Sequence, residues 1–177
     1  MSECTDMVKH QLYFSSSIGM LCMEDDGDAV TGLRLETEKS RICSDPSSEP
    51  SVLLRRAKEE IDQYFRGQRK TFDIPIRLEG TAFQKKVWEA LRQIPYGETR
   101  SYGEIAAAVG NPKACRAVGG ANNKNPVLLL VPCHRVIGKN GSLVGFGCGL
   151  EAKQILLELE KKNKQPAYGT DRSNMPE

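Results

Sequence analysis

SYGEIAAAVGNPKACRAVGGA, from Ser101 to Ala121, contains two closely spaced helix starts. Ser101 and Glu104 fit a capping box, in which each side chain satisfies a backbone N–H at the helix start. The helix they open runs through Ile105 and the alanines and stops at Gly110. Asn111 can cap a second helix, with Pro112 at its first position and Lys113 to about Ala121 as its body. The expected unit is a helix-turn-helix. Its second helix is rich in small residues: Ala114, Ala117, Gly119, Gly120 and Ala121. Glycine costs a helix roughly 1 kcal/mol relative to alanine. A helix that carries two in a row is either frayed or closely approached by another molecule.

Working outward, Thr81 and Gln84 form another capping box. Its helix carries Phe83, Val87 and Leu91 on one face and ends at Ile94-Pro-Tyr-Gly97. Downstream, Val127 to Val131 reads as a buried strand ended by Pro132. A glycine-rich loop, Gly138 to Gly149, leads into a final helix from Leu150 to Lys162, with Ala152, Ile155, Leu156 and Leu159 inward. Upstream, Leu12–Phe14, Ile18–Met23 and Ala29–Leu35 read as strands, with a hairpin turn at the acidic cluster Glu24–Asp28. Residues 36–50 read as an exposed loop. Ser51 caps a helix reaching Phe65, and Thr71–Ile76 reads as a short edge strand containing Pro75. Residues 164–177 are polar and read as a disordered tail. The fold class is therefore mixed α/β, with an N-terminal domain over 1–79 and a helical C-terminal domain over 80–163.

The chain has 177 residues, 39% hydrophobic and 27% charged, which excludes fibrous and wholly disordered classes. No apolar run approaches the roughly 20 residues of a membrane helix, and no apolar signal core follows Met1, so neither membrane insertion nor secretion is expected. The net charge of +2 hides an asymmetry: residues 1–80 sum to −4, residues 81–160 to +4 and residues 161–177 to +2. Between Ile105 and Leu150 there is no acid, but Lys113, Arg116, Lys124, Arg135 and Lys139 are present. Such a stretch suits a polyanion, or is simply a solvated face. Six cysteines stand at 4, 22, 43, 115, 133 and 148, without the spacing of a zinc ribbon. Reduced thiols in a cytoplasm-like compartment are expected.

The chemistry centres on Val131-Pro-Cys-His-Arg135. A cysteine reacts as thiolate, so the neighbouring His134 or Arg135 is a candidate activator of Cys133. Side chains of adjacent residues on an extended chain point in opposite directions, which leaves coincidence equally open.

Pro-Cys-His-Arg135, preceded by Gly110-Asn-Pro-Lys-Ala-Cys-Arg-Ala-Val-Gly-Gly-Ala121 and Asn125-Pro-Val, closely resembles the O6-alkylguanine-DNA alkyltransferases over about Gly80 to Glu160. The resemblance implies a ribonuclease-H-like N-terminal domain and a winged-helix-like C-terminal domain. It implies one-time transfer of an alkyl group from guanine O6, and possibly from thymine O4, in double-stranded DNA to Cys133. His134 would take the thiol proton through a bridging water, and Glu160 would orient the histidine. Tyr102 would donate a proton toward guanine N3, and Asn125 would tie the helix-turn-helix to the active-site segment. Arg116 would occupy the space of the flipped base. Ala114, Ala117, Gly119, Gly120 and Ala121 would let the helix lie in a minor groove, with Lys113 and Arg135 among the DNA contacts. Pro132, Val144, Phe146, Gly147, Cys148 and Gly149 would line the alkyl pocket.

Two pocket residues depart from the family pattern. Phe146 replaces a common tyrosine, and Cys148 stands where a small residue is usual, so Cys148 narrows the pocket against bulky adducts. Cys133 and Cys148 are also candidates for an oxidative disulfide that silences the protein. Some family members hold zinc in the N-terminal half; Cys4, His10 and Cys22 do not complete a set here, so no metal and no cofactor are expected. The protein is expected to be monomeric and cytoplasmic, or nuclear in a eukaryote. A non-catalytic sensor of alkylated DNA and a Cys-His hydrolase are the alternatives. The first has no use for Cys133, and nothing beyond Cys133 and His134 favours the second.

Overall fold

In the computed structural model, which describes residues 10–37, 49–145 and 147–164, the acidic hairpin forms as its sequence dictates. Asp26 Oδ1 accepts from the backbone N–H of Asp28 (3.0 Å) and of Ala29 (2.9 Å), and Gly27 takes φ +97°. This turn joins β2 (Gly19–Asp25) to β3 (Val30–Leu35). With β1 (His10–Ser16) they make an antiparallel sheet in the order β1-β2-β3. The register sets Phe14 opposite Leu21 and Met23 opposite Leu33. All four face the core. Helix α1 (Val52–Phe65) starts at Ser51, whose Oγ accepts from Leu54 N at 3.0 Å. It buries Leu54, Ala57, Ile61 and Tyr64. Thr71–Ile76 is not a strand: one parallel bridge, Ile76 to Val30, is all that forms. Pro75 has no N–H to donate and contributes only its carbonyl, which accepts from Val30 N at 2.9 Å.

Helix α2 (Ala82–Arg92) has both halves of the Thr81/Gln84 capping box and buries Val87, Trp88 and Leu91. Helix α3 (Tyr102–Ala108) has the Ser101/Glu104 box. Helix α4 (Cys115–Asn123) begins later than its sequence suggested. Asn111 and Pro112 form a turn closed by Ala114 N donating to the Asn111 carbonyl (3.0 Å), so proline takes a turn position instead of the first helical one. Trp88 Nε1 donates to the Ala121 carbonyl at 2.8 Å and clamps α2 to α4.

The expected Val127–Val131 strand is instead a buried reversal. Val131 N donates to the Val127 carbonyl (3.0 Å), Leu130 N to the Leu128 carbonyl (2.8 Å), and Leu129 takes φ +70°. A leucine in that region costs about 1–3 kcal/mol, which persists only where the surroundings enforce it. Asn125 is the enforcer: its Nδ2 donates to the Val131 carbonyl (2.8 Å) and its Oδ1 accepts from Val127 N (3.0 Å). The reversal also docks on the sheet, with Leu33 N donating to the Pro126 carbonyl and Leu128 N to the Leu33 carbonyl, both at 2.9 Å. After it come a short 3-10 helix (Cys133–Arg135), β5 (Val136–Ile137) and α5 (Leu150–Lys164). One apolar core, from Phe14 to Leu156, includes Cys133. The tail beyond Lys164 and most of the 36–50 loop lie outside the described residues.

Candidate active site

A two-residue parallel pairing builds the site. Strand β4 (Arg100–Ser101) sets Arg100 beside Val136 and Ser101 beside Ile137 of β5. Tyr102 follows β4 directly, and Cys133–Arg135 directly precede β5. The first residue of the helix-turn-helix is thereby fixed beside the reactive segment.

The 3-10 turn answers the question of adjacent side chains, because three consecutive residues no longer alternate as on a strand. Cys133 is buried. Burial pushes its thiol up to about 12, against the pull of an Asn125 hydrogen bond and the Lys153 charge. Asn122 Nδ2 donates to the Cys133 carbonyl at 3.4 Å.

His134 and Glu160 are fully buried and paired, Nε2 to Oε1, at 2.7 Å. Glu160 collects four more donors. Tyr64 Oη (2.7 Å) and Arg135 Nη2 (2.8 Å) share Oε1; Arg135 Nε (2.9 Å) and Gly97 N (3.1 Å) share Oε2. Burial works to raise the Glu160 pKa, but hydrogen bonds from His134 and Arg135 and the positive charge of Arg135 prevail and hold it well below the usual range. An ionised carboxylate only accepts, so His134 Nε2 carries the proton and Nδ1 keeps its lone pair. Nδ1 is buried and has no hydrogen-bond partner among the described residues. Burial lowers the His134 pKa and outweighs the attraction of Glu160, so the ring is a neutral base.

Tyr102 Oη donates to the carbonyls of Val144 (2.8 Å) and Gly145 (3.4 Å). Burial and the Cys133 charge raise its pKa and keep it a phenol. A cavity of about 270 Å³ beside it is lined by Cys115, Arg116, Gly119, Val144 and Gly145. Its walls are the start of α4 and the glycine loop. Lys153 is fully buried and donates to the Val136 and Val144 carbonyls; burial lowers its pKa.

The expected site residues separate into groups. Asn125 and Tyr102 stand beside the Cys133 thiol, and His134 is paired with Glu160. Lys113, Arg116, Ala117 and Gly120 are exposed on or beside α4, with Ala114 and Gly119 half-buried. Two residues expected at DNA are turned inward. Ala121 is buried against Trp88. Arg135 is 7% exposed, and its guanidinium is committed to Glu160 and to the Ile94 carbonyl (2.6 Å), which withdraws it from any phosphate. Val144, Gly147 and Gly149 are exposed on the loop, and Cys148 is half-buried. Phe146 lies outside the described residues. Pro132 lines a separate cavity of about 260 Å³ with Tyr96, Leu129 and Arg135. Among the described residues no group of three His, Cys, Asp or Glu is placed to hold a metal, and His10 is paired with Asp25. Cys4 lies outside them.

Sequence reasoning missed Tyr64, Asn122 and Lys153. Lys153 lies on the buried face of the last helix with Ala152, Leu156 and Glu160, and a lysine among those inward positions is the one signal that was available.

Residues 82–162 match the family model for the DNA-binding domain of 6-O-methylguanine DNA methyltransferase. A methylated-DNA–protein-cysteine methyltransferase of Methanosarcina acetivorans is 49% identical over 148 residues, covering 83% of this chain and 95% of that protein. The constitutive one of Bacillus subtilis is 46% identical over 81% of this chain and 90% of its own. The crystal structure of the Mycobacterium tuberculosis O6-methylguanine methyltransferase is 45% identical, covers 90% of this chain and 96% of its own, and superposes with a TM-score of 0.79. The structure of the same organism's OGT in complex with DNA has a TM-score of 0.78 at 45% identity, covering 87% of this chain and 94% of its own. The buried cysteine, its histidine–glutamate partner and the helix-turn-helix beside them thus stand in a chain that belongs to the methylated-DNA–protein-cysteine methyltransferase family.

Proposed function

We propose that the protein repairs double-stranded DNA by moving an alkyl group, methyl above all, from guanine O6 to Cys133. The observation that carries this is the buried His134, proton on Nε2 toward Glu160 and lone pair on Nδ1, in the residue next to a buried thiol. With a pKa near 12 the thiolate is not stored in the free protein; it forms as the proton passes to His134. The sulfur attacks the alkyl carbon, the S–C bond forms and the C–O6 bond breaks. The electron pair leaves on the purine, which Tyr102 neutralises by donating its phenolic proton at N3; exchange with solvent moves that proton to N1 and returns the proton held by His134 to Tyr102. Guanine is restored, and the thioether at Cys133 ends the protein's working life.

A base inside a duplex does not expose O6 to a buried thiol, so the nucleotide is turned out, at a cost of a few kcal/mol. Arg116, exposed at the mouth of the cavity beside Tyr102, fills the gap it leaves. Ala114, Ala117, Gly119 and Gly120 give α4 the slimness a minor groove requires, and Lys113 and Lys124 meet phosphates. The working unit is one copy, since Tyr102, Asn125, Cys133, His134 and Glu160 come from one chain. We place the boundary between a ribonuclease-H-like and a winged-helix-like domain at residues 79 and 80; the family match beginning at Ala82 supports it. Among the described residues no helix is long and apolar enough to cross a membrane, which accords with a cytoplasmic or nuclear site of action.

The test is the intact mass of the protein after incubation with duplex DNA carrying one O6-methylguanine. The expected gain is one methylene per molecule, capped there and absent from Cys133→Ala. DNA binding without any gain supports a damage sensor instead.

A further inference from the structure

The glycine loop carries a thiol that the repair chemistry does not use. The loop and Cys133 are held by neighbouring residues. Asn122 donates to the Cys133 carbonyl (3.4 Å), while a Cβ on Gly147 would lie 3.3 Å from the carbonyl oxygen of the next residue, Asn123. Consecutive residues at the end of α4 thus support Cys133 on one side and the residue before Cys148 on the other. Tyr102 and Lys153 both donate to the Val144 carbonyl, which draws the start of the loop onto the same centre. Cys148 packs against the apolar core that includes Cys133. The charge of a Cys148 thiolate is felt at Cys133, where burial is the larger influence. The remaining described thiols stand elsewhere: Cys22 is buried in the sheet, and Cys115 is exposed at the start of α4. Cys148 is also the more accessible of the pair, being half-buried where Cys133 is buried. Gly145 (φ +63°) and Gly149 (φ +90°) bracket it with backbone conformations that favour glycine and allow the loop to adjust.

We infer that Cys148 is the peroxide-reactive thiol, and Cys133 its resolving partner, in a reversible disulfide formed by peroxide and cleaved by thiol reductants. The inference rests on the proposed role of Cys133 and concerns the regulation of that same site. Peroxide transfers one oxygen to the Cys148 sulfur, giving a sulfenic acid and water. The Cys133 sulfur attacks the Cys148 sulfur; the S–O bond breaks, and the hydroxyl leaves with the Cys133 proton as water. Two thiols and one peroxide become one disulfide and two waters, with sulfur oxidised and peroxide reduced. The bond withdraws Cys133 from alkyl transfer and spares it from irreversible oxidation to sulfinic acid. A dithiol reductant restores both thiols by exchange.

The experiment treats the reduced full-length protein with stoichiometric hydrogen peroxide, blocks free thiols under denaturing conditions, and maps peptides by mass spectrometry. The expected product has lost the mass of two hydrogens and two blockable thiols. It yields a peptide linking Cys133 to Cys148, and dithiothreitol reverses the change. Cys148→Ser treated in parallel gives no such peptide and, when both proteins are then given excess peroxide, accumulates sulfinic acid at Cys133 faster than the parent. The inference is overturned if no link forms, if Cys133 links to a different cysteine, or if Cys133 reaches sulfinic acid as fast in the parent protein as in Cys148→Ser. Methyl acceptance by the reduced protein is measured separately. A link in a protein that accepts no methyl upholds the disulfide and removes the repair role; normal methyl acceptance without a link does the reverse.

Discussion

Replacing Glu160 by glutamine removes one charge and almost no volume, so its cost can be worked out from the partners. Oε1 accepts from Tyr64, His134 and Arg135, and Oε2 from Arg135 and Gly97. Glutamine offers one acceptor oxygen and one NH₂ group, which only donates. In the better of its two orientations the oxygen keeps the three donors of Oε1. The NH₂ then faces Gly97 N and Arg135 Nε, and both lose their acceptor. Each buried donor left without a partner costs about 1–3 kcal/mol. The Arg135 guanidinium also becomes a buried charge without a counter-ion, and breaking such a pair costs about 3–5 kcal/mol in all. For a chain of this size each kcal/mol moves the unfolding midpoint by about 2–4 °C. The expected loss is therefore about 6–20 °C, read by differential scanning calorimetry on Glu160→Gln beside the parent protein. Methyl transfer should fall as well, because His134 loses the carboxylate that holds its proton on Nε2. A midpoint within about 2 °C of the parent would refute the claim that Glu160 is the hub joining α1, the turn at Gly97, α5 and the reactive segment.

Acid should destabilise the protein in two stages. His134 is held below its ordinary pKa because burial disfavours the imidazolium, so its contribution is intact above about pH 6.5 and is lost as pH falls below that. Glu160 is also held low; its contribution is present above about pH 4.3 and disappears as pH drops toward its folded pKa. Calorimetry should find a midpoint that declines below about pH 6.5 and declines more steeply below about pH 4.3; a midpoint rising through this range contradicts the assignment. Asn125→Ala leaves the buried Val127 N without a partner, at about 1–3 kcal/mol, and takes one donor from the Val131 carbonyl, at roughly 1 kcal/mol, so it should cost about 2–4 kcal/mol in all, with a loss of methyl-transfer rate. Unchanged stability would mean that Leu129 holds its conformation without Asn125. The DNA affinity of Lys113→Ala or Lys124→Ala should show a salt slope shallower by about one unit each. Arg135→Lys should leave that slope unchanged while lowering stability, since Arg135 is inside; a shallower slope there would return Arg135 to the DNA face.

Local chemistry was legible in the sequence, and long-range chemistry was not. The caps at Ser51, Thr81 and Ser101 appear where they were read, because a cap is settled by residues three apart. The hairpin at Asp26 and Gly27 is equally local. Val127–Val131 misled because an apolar β-branched run reports burial and not backbone path; the path is set by Asn125, two residues before the run. Pro112 misled because proline suits a turn as well as a first helical position, and the docking of α4 on Trp88 decided between them. Cys133 and His134 stood out locally as a pair at even odds with coincidence; their roles, and Glu160 altogether, came by resemblance. Arg135 was assigned to DNA from its sign alone, when the partner that buries it lies 25 residues away in α5.

The three residues Cys133, His134 and Arg135 share one turn but divide their labour, since the first receives the alkyl group and the other two hold Glu160. The division has an evolutionary consequence. A lineage that loses the cysteine alone keeps the pins that fasten its last helix, and with them an intact DNA-reading surface. Ancestry can therefore convert a self-consuming repair protein into a reusable lesion binder by a single codon change. The reverse journey is just as short for any descendant that has preserved the histidine, the arginine and their shared acid.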